Sequence, residues 1–173
     1  MGRLGCKCGI VLSNVDCPND IDLWGFEGSL IESLLSNNPQ IVLTDVVMDY
    51  SLPDVYFWYC KDCGRVYVFR NNHQMYNRIY HIQEYDGKES LDSILKMRNL
   101  YFYTDKEVEE PTEKNFNYSL KDFFDNLPHP YRYYITDDLT KVYAYDMNNQ
   151  RIAHYYVLEA TYNDEPGASN TTE

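Results

Sequence analysis

Basic residues are missing from a long stretch of this 173-residue chain. No Lys, Arg or His occurs from Gly9 through Cys60. The same segment carries eight acidic residues, namely Asp16, Asp20, Asp22, Glu27, Glu32, Asp45, Asp49 and Asp54. The formal net charge of the whole chain is −12. A protein that holds nucleic-acid phosphates is usually basic, so this charge argues against such a role.

Long apolar runs and catalytic motifs are also absent from the sequence. No segment reaches the roughly 20 apolar residues of a membrane helix, and the first six residues lack a signal-peptide core. The four histidines lie far apart, and none belongs to an HExxH or a nucleophile motif. No phosphate-binding glycine loop is present. These absences predict a cytoplasmic protein without a membrane segment and without enzymatic activity.

Cysteine is present in a pattern that is typical of metal binding. Two close pairs, Cys6-x-Cys8-Gly9 and Cys60-x-x-Cys63-Gly64, are separated by about fifty residues. The Gly after each pair can adopt the positive φ that continues a tight turn. We therefore predict a Zn²⁺ ion held by Cys6, Cys8, Cys60 and Cys63, with buried reduced thiols as the alternative. Four thiolates leave no open coordination place, so the predicted zinc is structural.

The fifth cysteine, Cys17, precedes Pro18 and stands outside both pairs. It could replace Cys6 as the fourth ligand, but an unliganded thiol is the role we expect for it. Cysteines spaced for metal indicate a reducing compartment more than a disulfide framework.

Apolar periodicity predicts an α+β fold made mainly of antiparallel β hairpins with two or three short helices. Helical spacing occurs over 29–35, 91–95 and 118–127, and two turns divide 131–159 into three strands. The Cys pairs would form a zinc-ribbon-like element in this fold. We expect one domain over 1–162 and a flexible tail over 163–173.

The sequence also contains an internal echo. A shift of 76 residues places 55–83 over 131–159 without a gap, and it aligns Val66, Tyr67 and Tyr80 with identical residues. Cys60 and Cys63 align with Thr136 and Leu139, so only one copy carries the thiols. The echo indicates two similar halves, although two ordinary β meanders could also converge on it.

Two segments carry a resemblance to known proteins. Cys6-Lys7-Cys8-Gly9 and the run from Tyr59 through Phe69, which contains Cys60-Lys61-Asp62-Cys63-Gly64-Arg65, resemble small uncharacterised bacterial proteins with CxCG and CxxCGR motifs. That resemblance implies a zinc-ribbon-like element. In size, acidity and Asn/Tyr-rich composition the chain is similar to immunity proteins of bacterial polymorphic toxin systems. This second resemblance implies a protein that neutralises a toxin.

Charge and resemblance together predict a cytosolic, non-enzymatic binding protein of the immunity type. A segment of fifty-two residues with charges of one sign suits a basic protein partner, such as a toxin domain. We expect Asp45, Asp49 and Asp54 to contact that partner.

The alternative is a zinc-ribbon accessory factor that contacts nucleic acid. The hairpin over 61–78 contains Lys61, Arg65, Arg70 and Arg78 and is the one locally basic region. Four cations of this kind are also found on solvated strand edges.

Overall fold

A computed structural model describes residues 2–15, 19–42, 55–70, 76–104 and 131–162 of the chain. The strands in these ranges are, in chain order, β1 (Arg3–Gly5), β2 (Val11–Ser13), β3 (Asp22–Glu27), β4 (Val55–Tyr59), β5 (Val66–Arg70), β6 (Tyr76–Glu84), β7 (Arg98–Thr104), β8 (Tyr131–Ile135), β9 (Lys141–Asp146) and β10 (Arg151–Thr161). The helices are α1 (Gly28–Asn37) and α2 (Leu91–Ile94). Neither of them has the length and apolar character needed to cross a bilayer.

Eight of the strands form one closed antiparallel barrel, in the order β10-β6-β5-β4-β3-β7-β8-β9. The barrel closes because the long strands β6 and β10 pair with each other as well as with β5 and β9. Closure gives every one of the eight strands two hydrogen-bonded neighbours and leaves no free sheet edge. The remaining strands, β1 and β2, form a separate two-stranded hairpin.

The α+β prediction is wrong. The described part of the chain is mostly β, and its two helices have only 10 and 4 residues. The sheet covers its own inner face by closing, so no layer of helices is needed to bury that face. The predicted zinc-ribbon-like element is also not a separate unit, because β4 and β5 on either side of Cys60 and Cys63 are paired to β3 and β6 of the barrel.

Period-two alternation divides each barrel strand between an inner and an outer face. Val66 and Val68 of β5 lie in the lumen, where they pack with Tyr80 and Tyr156. Tyr67 and Phe69 of the same strand lie on the outside. Each face of the strand therefore buries its own apolar cluster.

Two segments outside the barrel strands cover the outer face. The β1–β2 hairpin packs Leu4, Cys6 and Leu12 against the outer residues of β4, β5 and β6. Strands β8, β9 and β10 form the second meander, and β4, β5 and β6 form the first. On the second meander, Tyr85, Ile94 and Met97 from the segment around α2 pack against the outer residues Tyr134, Tyr143, Ile152 and Tyr155. The outer side chains are buried only because these segments lie on them.

The two copies of the sequence echo pair in the same register. Tyr59 pairs with Val66 in the β4–β5 hairpin, and Ile135 pairs with Val142, each 76 positions later, in the β8–β9 hairpin. The β5–β6 and β9–β10 ladders also correspond pair by pair at this offset, and both contain a register shift at the same place. The two three-stranded meanders thus share strand pairing and irregularity, and both belong to one sheet.

Three predicted features lie outside the described residues. They are the helix over 118–127, the tail over 163–173 and the position of Cys17. The predicted helices over 29–35 and 91–95 correspond to α1 and α2, and the Ser90 side chain caps α2 by accepting from the Ser93 backbone N–H at 3.2 Å.

We predict that Ile94→Ala destabilises the protein by roughly 2–5 kcal/mol, because Ile94 is fully buried against the outer tyrosines of the second meander. Urea denaturation followed by circular dichroism measures the change. Leu91→Ala in the same helix is the control, since Leu91 is 37% exposed and should change the free energy of unfolding by less than roughly 0.5 kcal/mol. Equal effects of both substitutions would contradict the covering role of α2.

Candidate metal site

The turn between β4 and β5 presents Cys60 and Cys63. The backbone N–H of Cys60 donates to the Arg65 carbonyl at 2.8 Å, and the N–H of Gly64 donates to the Cys60 carbonyl at 2.7 Å. Gly64 has φ +68, and a Cβ at this position would collide with the Ile82 side chain. Glycine is therefore required here by conformation and by space, as the CxxCG pattern indicates.

The turn between β1 and β2 presents Cys6 and Cys8. The N–H of Cys6 donates to the Ile10 carbonyl at 2.8 Å, and the N–H of Gly9 donates to the Cys6 carbonyl at 2.9 Å. Gly9 has φ +96. The shorter CxCG spacing thus forms the same type of glycine-ended turn as the CxxCG spacing.

The fold brings the two turns together, and the four Sγ atoms all lie within 4.8 Å of one another. The Sγ of Cys6 lies 3.3 Å from that of Cys8 and 3.5 Å from that of Cys63, and Cys8 lies 3.7 Å from Cys60. A tetrahedral site with metal–sulfur bonds of about 2.3 Å needs sulfur–sulfur distances of about 3.8 Å. The cluster could therefore hold a metal ion. Cys6 and Cys60 are buried, and Cys8 is exposed.

Burial and hydrogen bonds act differently on the thiols. Burial raises the pKa of Cys60 to about 12. Burial also acts to raise the pKa of Cys6, but hydrogen bonds from the Cys8 backbone and the Tyr67 hydroxyl outweigh it and lower that pKa to about 7. A bound cation favours the thiolate form of every ligand, so protons compete with metal and affinity should fall as the pH falls.

Tyr67 supports the cluster from the barrel wall. Its side chain is fully buried on the outer face of β5. Its hydroxyl donates to the Sγ of Cys6 at 3.2 Å and accepts the backbone N–H of Lys7 at 2.9 Å. The Tyr67 hydroxyl therefore orients the Cys6 thiol and also fixes the β1–β2 turn that carries this thiol. Groups that hold ligands from behind in this way are usual at metal sites.

Charged groups also join the two turns to strand β10. Glu159 of β10 accepts from Lys7 at 2.9 Å and from Arg65 at 2.8 Å. The hydrogen bond from Arg65 is the main cause that lowers the pKa of the Glu159 carboxyl. Lys7 and Arg65 belong to different Cys turns, so this carboxylate holds both turns against the barrel.

The other predicted site residues are not part of this cluster. Asp45, Asp49 and Asp54 lie outside the described residues, as does Cys17. In the predicted basic hairpin, Lys61 pairs with Asp20 at 3.1 Å and Arg65 pairs with Glu159. Arg78 lines the barrel lumen. Lys61 stays exposed in its ion pair, but Arg65 is partly buried and Arg78 faces the lumen, so these three positions do not form one row of exposed cations.

The sequence analysis missed a cavity of about 390 Å³ inside the barrel. Every barrel strand contributes to its lining, and the lining residues are Leu23, Glu27, Phe57, Val66, Val68, Arg78, Tyr80, Arg98, Leu100, Phe102, Tyr133, Ile135, Leu139, Val142 and Tyr156. The sequence offered one signal for this cavity, namely Arg78, a cation that alternates with apolar residues in a strand. Its direction, toward solvent or lumen, depends on closure of the sheet.

We predict that Tyr67→Phe weakens metal binding by roughly 10–100-fold, because the Cys6 Sγ loses its donor and the Lys7 N–H loses its acceptor. Competition with a chromophoric chelator measures the affinity. Tyr143→Phe is the matched control, since Tyr143 occupies the equivalent position in the second meander and is also buried. That control should keep wild-type affinity, and a comparable loss in both variants would mean that Tyr67 acts only through stability.

Comparison with known proteins adds one similarity. A family model described as a domain of unknown function (DUF8617) matches residues 2–85. The matched range contains all four cysteines of the cluster and β1 through β6. No curated protein and no solved structure matches the chain. The similarity thus concerns the part of the chain that carries the cysteine cluster, and the family description names no activity.

Proposed function

We propose that Cys6, Cys8, Cys60 and Cys63 bind one structural Zn²⁺, and that this protein acts by binding a basic protein rather than by catalysis. The observation that supports the metal is the mutual approach of four Sγ atoms from two turns 52 residues apart in sequence. Sulfur-only tetrahedral sets favour zinc or iron–sulfur centres. Zinc is the simpler fit, because a single ion satisfies four thiolates with no further ligand.

The proposed ion would fasten the β1–β2 hairpin to the barrel. Each strand of that hairpin has three residues, and an isolated two-stranded hairpin is at best marginally stable in water. Beneath it lie the outer side chains Trp58, Tyr67, Phe69 and Ile79. Loss of the metal would release the hairpin and expose this apolar cluster, so metal binding and folding should be coupled.

We predict that Cys60→Ser removes the metal and lowers the free energy of unfolding by at least roughly 3 kcal/mol. Purified protein should contain one zinc per chain by elemental analysis, and the variant should contain less than a tenth of that. Cys17→Ser is the control and should keep both metal and stability. Zinc retained by Cys60→Ser, or lost from Cys17→Ser, would show that the ligand set is wrong.

The proposed partner is a basic protein of the toxin type, which this chain would neutralise in the manner of an immunity protein. The net charge of −12 and the absence of cations from Gly9 through Cys60 support this proposal. Two described acids of the segment already form ion pairs, since Asp20 pairs with Lys61 and Glu27 lies 3.7 Å from Arg98. Other acids of the segment must therefore carry most of the contact, which is why Asp45, Asp49 and Asp54 remain our candidates.

We predict that a triple substitution of Asp45, Asp49 and Asp54 to Lys slows association with the cognate partner by about 10- to 1,000-fold at low salt. The partner is first obtained by affinity pull-down from the native host, and stopped-flow mixing then measures the rate. The difference from wild type should shrink as salt is added, because salt screens long-range attraction.

A second triple variant separates a local contact from net charge. Glu84, Asp92 and Asp137 are exposed acids outside the segment, and their reversal to Lys changes the net charge by the same amount. This control should slow association far less. Equal slowing by both variants would place no contact in the segment, and an unchanged rate in the first variant would move the interface elsewhere.

A further inference from the structure

The interior of the barrel has the dimensions of a small-molecule site. Its cavity of about 390 Å³ lies within the range of roughly 300–1,000 Å³ that ligand pockets occupy. Eight-stranded barrels are just wide enough either to be filled by side chains or to hold one small ligand. Here the inward side chains leave a space that all eight strands border.

Aromatic rings form a continuous part of the cavity wall. The ring of Phe57 lies 4.9 Å from that of Phe102, and Phe102 lies 5.2 Å from Tyr133. The ring of Tyr133 in turn lies 6.4 Å from that of Tyr156. These residues come from β4, β7, β8 and β10, so the ring series crosses the barrel. A flat apolar group would find both ring faces and ring edges to pack against.

The charges at the cavity do not cancel. Arg98 and Glu27 lie 3.7 Å apart and balance each other. Arg78 is half-buried in the lining, and no carboxylate of the described residues lies within 4.0 Å of it. The Arg78 side chain lies beside Tyr80, and the Tyr80 hydroxyl donates to the Leu139 carbonyl at 2.9 Å. Within the described ranges, one positive charge therefore faces an apolar cavity without an acidic partner.

An uncompensated guanidinium beside apolar walls favours an anionic ligand. Its planar fork of N–H donors matches a carboxylate with two parallel hydrogen bonds. A small inorganic anion would satisfy the charge but leave the aromatic wall uncovered, whereas a neutral apolar molecule would do the opposite. A ligand that does both carries one acidic group on an apolar body.

We propose that the barrel lumen binds a small organic monocarboxylate with a flat apolar body, whose carboxylate pairs with Arg78 and whose body packs on the rings of Phe57, Phe102 and Tyr133. This site is distinct from the cysteine cluster, which lies on the outer face of the sheet. The proposal for the lumen site therefore does not depend on the proposals for the metal and for the protein partner.

The experiment uses the full chain and two naphthalene compounds of nearly equal shape. 2-Naphthoate carries the carboxylate, and 2-naphthamide is its neutral counterpart. Naphthalene fluorescence and isothermal calorimetry measure binding, and we expect one 2-naphthoate per chain. The amide should bind about 10–100-fold more weakly, because it lacks the charge-assisted hydrogen bonds to Arg78. Equal affinity of the two compounds, or no binding of 2-naphthoate, would overturn the proposal.

Three variants locate the site. Arg78→Gln should weaken 2-naphthoate by about 10–100-fold and leave the amide nearly unchanged. Arg151→Gln is the matched control, because Arg151 is an exposed arginine that does not line the cavity, and it should bind like wild type. Val68→Trp places a large ring in the lumen and should abolish binding of both compounds.

Two further measurements separate loss of the lumen site from other effects of the substitutions. Near-ultraviolet circular dichroism and zinc content are measured for each variant, so that loss of folding or of metal is not mistaken for loss of the lumen site. If Val68→Trp fails to fold, the comparison of the two compounds and the Arg78→Gln variant still decide the matter. Weakening by Arg151→Gln equal to that by Arg78→Gln would indicate general attraction to a cation and would overturn the proposal.

Discussion

Pairing between β6 and β10 is the interaction on which the rest of the structure depends. Seven residue pairs from His154 and Glu84 to Thr161 and Arg78 join the two meanders and close the sheet. Closure creates a lumen, turns Arg78 and Tyr80 toward it, and places Glu159 where it can reach Lys7 and Arg65. Without this ladder the chain would have two exposed sheet edges and neither the cavity nor the support of the cysteine turns.

The two faces of the barrel carry different chemistry. On the outside, the hydroxyl of Tyr67 donates to the Cys6 thiol, and hydrogen bonds, the Lys7–Glu159 ion pair and packing hold the β1–β2 hairpin. On the inside, aromatic rings and the guanidinium of Arg78 border a cavity of about 390 Å³. Successive residues of one strand serve both faces, since Tyr67 lies between Val66 and Val68. The proposed metal can therefore support the wall without entering the lumen.

Features that depend on neighbouring residues were predictable. The hairpins within 131–159 are present as β8, β9 and β10, because alternation and turn residues act over a few positions. The clustering of the four cysteines follows from two glycine-ended turns of suitable spacing. The α+β class was wrong because helical spacing over 29–35 and 91–95 predicts two short helices correctly but says nothing about a sheet that closes on itself.

The sequence by itself determined which residues can share a metal, where the meanders turn and which strand positions alternate. Only the tertiary structure decided that β3 pairs with β7 and β6 with β10, contacts that join residues seventy or more positions apart. A period of two assigns side chains to opposite faces but does not say which face is the inner one. Arg78 shows the consequence, because the same residue is a surface cation on an open sheet and a cavity group in a closed barrel.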